Sequence, residues 1–259
     1  MKTLTATLRL YKEAFLDAAR AMPRSWPAML GLTIYSVVLV AAGVLLAPLG
    51  FAGGFVLALV HCAAVGSYLA MVEVGITERR GLQFSEIQGS LGTYLNDVLS
   101  VLWIFFLAQI VVVWVLNLNQ VWMILMLVSF FLFNPVPELI YQGNSRGLEL
   151  LKDAGRYIRR SWLEWFPPQL VLLVLLGLVL PHQRAFLLQS FGPGFGFMDI
   201  GNLFFNQLII GQLPPIRDIA AYIGTVGAVH FLLLFRGFLF KATNKGGRRL
   251  RAWQEQQRE

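Results

Sequence analysis

The chain has 259 residues, 57% of them hydrophobic and 14% charged, with a net charge of +7 and a mean hydropathy of +0.64. Its uncharged runs far exceed the roughly 20 residues that cross a bilayer as helix, which excludes an ordinary soluble domain. Unpaired backbone groups are not tolerated in lipid and the dyad alternation of a barrel is missing, so the expected fold is all-α, a polytopic membrane helix bundle.

Residues 1–24 read as an amphipathic N-terminal helix. At about 100° per residue, Glu13, Asp17, Arg20 and Arg24 share one face, and Phe15, Ala18, Ala19, Met22 and Trp26 fall on the other. The expectation is an interfacial helix with its apolar side in the headgroup boundary, ended or kinked by Pro23. No secretory signal is read ahead of the first apolar run, near Trp26. Ser25 to Val72 then carries no formal charge, which fits two spans of about 27–47 and 51–72 around a turn at Ala47-Pro48-Leu49-Gly50. The second shows small residues at every fourth position, Gly54, Ala58, Cys62, Gly66 and Ala70, read as a helix-packing seam. Cys62 is the one cysteine, so no intramolecular disulfide is available.

Residues 73–97 are polar, and the spacing of Phe84, Ile87, Leu91, Tyr94 and Leu95 predicts a second surface helix. Val98 to Pro137 is again uncharged, and Asn117-Leu118-Asn119-Gln120 divides it into spans of about 97–116 and 121–140. Trp114 and Trp122 flank that break, as aromatic belts do. The segment Asn134 to Glu138 is expected to end or kink the fourth span. A fifth span of about 165–180 opens at Pro167-Pro168, and a sixth runs from about Ile219 to Phe240, with Arg236 snorkelling from its inner end. Between them, 181–218 is the longest non-cytoplasmic loop. It contains Phe-Gly-Pro-Gly-Phe-Gly-Phe at 191–197, read as a mobile surface connection, with a docking loop or outer-leaflet lid as the alternative.

Nineteen of the 21 basic residues fall on one side of a six-span layout, and only Arg184 and Arg217 on the other. Positive charge is retained on the cytoplasmic side, so both termini are expected there, in a bacterial inner membrane. The layout is a single membrane domain, 1–259, with hairpins of about 27–72, 97–140 and 165–240 and a basic tail at 241–259. Topology and anionic lipid account for the basic balance without nucleic acid. Part of the layout is an internal repeat: residues 13–26 and 149–162 both read E-x3-D-A-x-R-x3-R-S-W, 136 residues apart. Each copy precedes an apolar run, so the repeat reads as parallel duplicated hairpins, each led by a cytoplasmic interfacial helix.

No His-x3-His, HExxH, GxSxG or phosphate-loop motif occurs, so no catalytic residue, metal site or cofactor is assigned. His61, Gln109 and His230 are the polar residues expected within spans, where ionisable groups are functional candidates by default. Structural hydrogen bonding of neutral imidazoles is favoured over a proton-linked pair. Glu73, Asp97 and Glu138 lie near inner span ends, with local pairing to Arg79, Arg80 or Arg146 favoured. Arg20, Arg24, Arg156, Arg159 and Arg160 sit where anionic headgroups are expected, each contributing about 1 kcal/mol near such a surface.

Pro137, Glu138, Gly143, Leu148, Arg160, Ser161 and Trp162 form a Pro-acid, Gly, Arg-Ser-aromatic approach to span five. In this the chain resembles uncharacterised bacterial six-span proteins similar to the membrane domain accompanying some glycerophosphodiester phosphodiesterases. The soluble phosphodiesterase domain is not in this sequence, so the resemblance implies six helices and no catalytic residue. The expected role is membrane-organising or accessory, acting with lipids or with a protein partner through 181–218 or the cytoplasmic helices. The alternative is a transporter or channel for a small solute, ion or lipid.

Overall fold

Prolines and glycines set most of the helix boundaries. The computed structural model describes residues 2–78, 80–190, 195–203 and 216–244. The tail beyond 244, residues 191–194 and most of the apolar stretch 200–213 lie outside them. Among the described residues the chain is all-helical, with no strand. In order come α1 (Lys2–Ala21), α2 (Trp26–Leu46), α3 (Gly50–Thr77), α4 (Phe84–Gly89), α5 (Leu95–Gln109), α6 (Asn119–Leu132), α7 (Val136–Gln142), α8 (Gly147–Val179), α9 (Arg184–Ser190) and α10 (Ile216–Asn244). A wide-turn run, Ile110–Val115, continues α5, and a tight 3-10 segment, Gly196–Leu203, precedes α10.

Among the described residues four stretches are long and apolar enough to cross a membrane: Trp26–Thr77, Leu95–Val115, Gly147–Val179 and Asp218–Asn244. A fifth arises if Asn119–Leu132 and Val136–Gln142, bent by 46° at the break, are taken as one. The first stretch is folded back on itself. Gly50 takes φ +55, a conformation open to glycine, and a Cβ added at Gly31, Gly43 or Gly53 would meet Met71, Leu57 or Leu46. Contacts at 31/71, 43/57 and 46/53 define an antiparallel hairpin.

Burial ranks the helices. In the apolar window of α10, 72% of residues are buried inside the protein, against 11% in the window of α5. The central helix is therefore α10, and it packs against α1, α2, α3, α7, α8 and the 3-10 segment. The small-residue seam of α3 is used over half its length: Cys62, Gly66 and Ala70 are buried, while Gly54 and Ala58 are exposed. At Gly66 an added Cβ would lie 2.8 Å from the Tyr94 carbonyl carbon and 2.9 Å from the Leu95 nitrogen. The start of α5 thus rests directly on α3. Beside this crossing the Tyr94 hydroxyl donates to Glu73 at 2.6 Å. Burial, then that bond to a carboxylate, push the Tyr94 phenol above its ordinary value.

Several expected features are corrected. The interfacial reading of α1 is corrected only in part: Phe15, Ala19 and Trp26 of the expected apolar face stay exposed, whereas Leu10, Ala14, Ala18 and Ala21 are buried against protein and Phe15 meets Phe231 edge-on at 5.2 Å. The spacing of four, four and three keeps these small side chains on one face, which lets α1 approach α10 closely. The surface helix expected over 84–95 is only Phe84–Gly89, with Phe84 edge-on to Trp26. Pro167 and Pro168 lie inside α8, so the second repeat copy and the apolar segment form one continuous helix. A proline at 167 leaves the Leu163 carbonyl without its helical donor, and the Tyr11 hydroxyl of α1 supplies one at 2.9 Å.

Gly66→Ala is expected to destabilise the detergent-solubilised protein by about 1–3 kcal/mol, because backbone atoms of α5 have no room to give. Gly54→Ala, with nothing within 4 Å of the new methyl, is expected to leave the thermal midpoint within about a degree or raise it slightly. Equal shifts for the two would contradict this packing.

Candidate functional site

Three polar arrangements stand out in the bundle. The first is a buried ion pair where α3, α7, α8 and α10 converge. Arg236 Nε donates to Glu138 Oε1 at 2.7 Å and Nη2 donates to Oε2 at 2.9 Å, with both side chains fully buried. Nη2 also donates to the Asn134 carbonyl at 2.6 Å, and the Arg236 guanidinium carbon lies 5.7 Å from the Trp165 ring centre. Trp165 Nε1 in turn donates to Asn134 Oδ1 at 2.8 Å. Asn134, in the break between α6 and α7, thereby gives its carbonyl and side-chain oxygen to this cluster. Just beyond it, Gln142 Nε2 donates to the Gly237 carbonyl at 3.0 Å.

This overturns two expectations. Arg236 does not snorkel, and Glu138 takes as its partner neither Arg80 nor Arg146. Arg80 is bonded to Glu78 and Glu86, and Arg146 lies 3.6 Å from Asp97. The side chain of Arg79 lies outside the described residues. The sequence did hold a signal: Glu138 and Arg236 are each isolated charges in otherwise apolar surroundings, and opposite charges so placed are expected to pair.

The second arrangement links α2, α3 and α10. His230 is fully buried, with Nε2 2.9 Å from Ser25 Oγ and Nδ1 2.8 Å from Tyr68 Oη. Ser25 Oγ also donates to the Ala21 carbonyl at 2.9 Å. The serine has one hydrogen, so His230 Nε2 carries a proton toward Ser25 and Nδ1 accepts from Tyr68. Every donor then has an acceptor with the imidazole neutral. Ser25 holds the Ser position of the first repeat copy and is 1% exposed; Ser161, its counterpart, is 9% exposed.

Over this relay lies the segment that was read as a mobile surface loop. Phe195, Phe197, Met198 and Ile200 are buried, Phe197 packs on Tyr68 with ring centres 5.5 Å apart, and Ser36 Oγ donates to the Met198 carbonyl at 3.1 Å. Ser36 is ten residues from the end of α2 at Leu46, about 15 Å along the helix axis at 1.5 Å per residue. The segment therefore re-enters the bundle. Irregular backbone at such depth survives only when protein surrounds it, and here it does.

The third arrangement is a cleft of about 940 Å³ between the 143–145 connection, the first half of α8 and the end of α10. Leu139 and Phe240 form its apolar part, and Arg156, Arg160, Ser161 and Glu164 lie along its α8 wall. The Tyr157 hydroxyl is hydrogen-bonded to Thr243 across its base.

Of the intramembrane polar candidates, His230 is hydrogen-bonded as described, His61 is half-buried and Gln109 is exposed at the end of α5. Both ring nitrogens of His230 are engaged by Ser25 and Tyr68, so those bonds do not join it to His61 or Gln109. Arg20, Arg24, Arg156, Arg159 and Arg160 are all exposed. Arg20 pairs with Asp17 at 3.3 Å, and Arg156 with Asp153 at 2.9 Å and Glu149 at 3.2 Å. Among the described residues no group of three or more His, Cys, Asp or Glu is placed to hold a metal. No family model, curated protein or solved structure matches the chain.

Glu138→Gln is expected to destabilise the fold by about 3–5 kcal/mol, because it leaves a buried guanidinium without its counter-charge. Glu138→Leu combined with Arg236→Met should recover most of that loss in the same detergent unfolding titration. A single-variant loss below 1 kcal/mol would show that the pair does not hold the bundle together.

Proposed function

We propose that the chain is a multi-pass protein of the bacterial inner membrane that crosses it six times with both termini in the cytoplasm. The hairpin within Trp26–Thr77 counts as two crossings, the bent pair α6–α7 as one, and α5, α8 and α10 as one each. This layout keeps the six-helix resemblance and puts eighteen of the 21 basic residues on the cytoplasmic side, with Arg236 buried in the bundle. In this reading the two copies of E-x3-D-A-x-R-x3-R-S-W are duplicated entries to the membrane.

The role is membrane-organising or accessory, without catalysis, and it works through lipid headgroups at the cytoplasmic face. The observation that carries this reading is the matched exposure of the two copies. Trp26 is 50% exposed and Trp162 is 53% exposed, and all five arginines beside them are exposed. An interfacial tryptophan flanked by exposed guanidinium groups suits a headgroup layer. A protein partner would meet this same face, since the aromatic residues of the 181–218 loop that are described point inward.

A transporter is the second reading, favoured by one observation: a segment buried at Phe195, Phe197, Met198 and Ile200 in a bundle that also has a span interrupted at 133–135. Broken helices and re-entrant backbone commonly form substrate sites. On that reading His230→Gln would change a solute flux in proteoliposomes.

Replacing Arg20, Arg24 and Arg159 together by Gln is expected to reduce enrichment of anionic lipid in the shell co-purified in nanodiscs by about ten-fold or more, from roughly 1 kcal/mol per charge. Unchanged enrichment, measured by mass spectrometry of the retained lipid, would sink the lipid-facing role.

A further inference from the structure

Beyond its polar first turn, the exposed side of α5 is apolar except at Gln109. In the apolar window of Leu95–Val115 only 11% of residues are buried inside the protein, and α6, which follows, has no buried residue. Apolar side chains in such a place need no partner, because acyl chains are as apolar as leucine. Gln109 does need one. Its side chain is exposed and has no hydrogen-bond partner among the described residues. It stands five residues before Trp114, about 7 Å along the helix axis at 1.5 Å per residue, which is inside the hydrocarbon if Trp114 marks the interface. Acyl chains offer a carboxamide neither donor nor acceptor, so an unsatisfied amide at that depth is costly.

Two further observations lie beside it. Phe106, about one helical turn before Gln109, is exposed, and Trp103 is 46% exposed with its ring centre 5.5 Å from that of Phe106. Trp103 lies near mid-span, away from the interfacial depth that suits tryptophan, and its indole N–H has no acceptor among the described residues. The wide-turn run Ile110–Val115 begins immediately after Gln109, and such turns are rare and frequently mark functional positions.

The occupant follows from symmetry. Copies of one chain insert with the same orientation, so the axis of a symmetric pair runs along the membrane normal and equal residues meet at equal depth. A side chain on that axis has to satisfy its own copy. An arginine or a glutamate would meet a like charge, whereas a carboxamide carries both a donor and an acceptor and can pair with itself reciprocally. We infer that this face of α5 is the contact through which two copies of the chain pair, with Gln109 hydrogen-bonded to Gln109 and Phe106 packed beside it. This pairing goes beyond the lipid-facing role and rests only on α5 being one of the crossings.

The test uses the full chain, tagged at its C-terminus with a donor or an acceptor fluorophore and diluted in liposomes over a range of lipid-to-protein ratios. The expected result is energy transfer that falls through a defined midpoint on dilution. Gln109→Leu should weaken pairing about ten-fold, the size of interhelical hydrogen bonds between model membrane helices. Gln109→Asn, which keeps the amide, should retain most of it, and a thermal melt of each variant checks the fold. In a Cys62→Ala background, Phe106→Cys should form an intermolecular disulfide under copper phenanthroline, and Val171→Cys, 60% exposed on α8, should not. Equal cross-linking at both positions would mean random collision and overturn the pairing, as would energy transfer unchanged by Gln109→Leu or absent at every ratio. A different co-purified protein lost on Gln109→Leu, without transfer between copies, would give the face to another partner and likewise overturn it. Labelling of Phe106→Cys by a membrane-impermeant thiol reagent would remove the crossing itself, whereas shielding without energy transfer would remove only the pairing.

Discussion

Moving a guanidinium or a carboxylate out of water costs several kcal/mol for each ion, and among the described residues Arg236 and Glu138 are fully buried. Arg236 and Glu138 make that transfer together, in a bidentate pair from which solvent is fully excluded. Because Arg236 stands on the central helix α10 and Glu138 on α7, the pair fixes how the segment after the 133–135 break returns to the core. Asn134, freed from helical pairing by that break, accepts from both Arg236 and Trp165, so α8 is tied to the same point. The neighbouring Gly237 admits Ile76 of α3, since a Cβ there would lie 2.1 Å from its terminal methyl. Four helices meet where one pair has to be neutralised.

The repeated fourteen-residue word shows how one substitution redirects a chain. Pro23 stands in the first copy where Arg159 stands in the second. The first helix therefore stops at Ala21 and α2 starts anew at Trp26, whereas the second continues through the repeat and into the apolar segment. The paired positions keep similar environments even so: Ala18 and Ala154 are fully buried, Ser25 and Ser161 are buried, and both tryptophans are half-exposed. Tyr11 then fastens the first region to the second by capping a carbonyl that Pro167 leaves open. A proline that reads as a helix start in sequence is accommodated within the helix because a side chain from a distant element supplies the missing donor.

The Ser25–His230–Tyr68 relay and the segment above it belong to the same logic. A polar group placed among apolar helices has to be satisfied by what packs on it. His230 finds partners in Ser25 at the N-terminal cap of α2 and Tyr68 of α3, Tyr68 also packs against Phe197, and the Met198 carbonyl of the re-entrant segment receives the Ser36 hydroxyl. The segment is thus built into the interior through both aromatic packing and backbone hydrogen bonding, which makes it part of the core.

By itself the sequence determined the all-helical membrane class, because charge-free length and the cost of unpaired backbone in lipid leave few alternatives. Prolines and glycines at 23, 50 and 135 also made several breaks legible, since their backbone restrictions are local. The candidate site was only partly legible: His230 stood out as a polar residue in an apolar helix, but Ser25 and Tyr68 carried no mark of joining it. Arg236 looked like an inner-end anchor because its partner lies 98 residues away and periodicity says nothing about such distances. Ala18 on the apolar face of α1 and the described aromatic residues of the loop were assigned to lipid and to the surface for the same reason. Apolar side chains gain equally from any apolar neighbour, and only the tertiary structure decided whether that neighbour was the bilayer or α10.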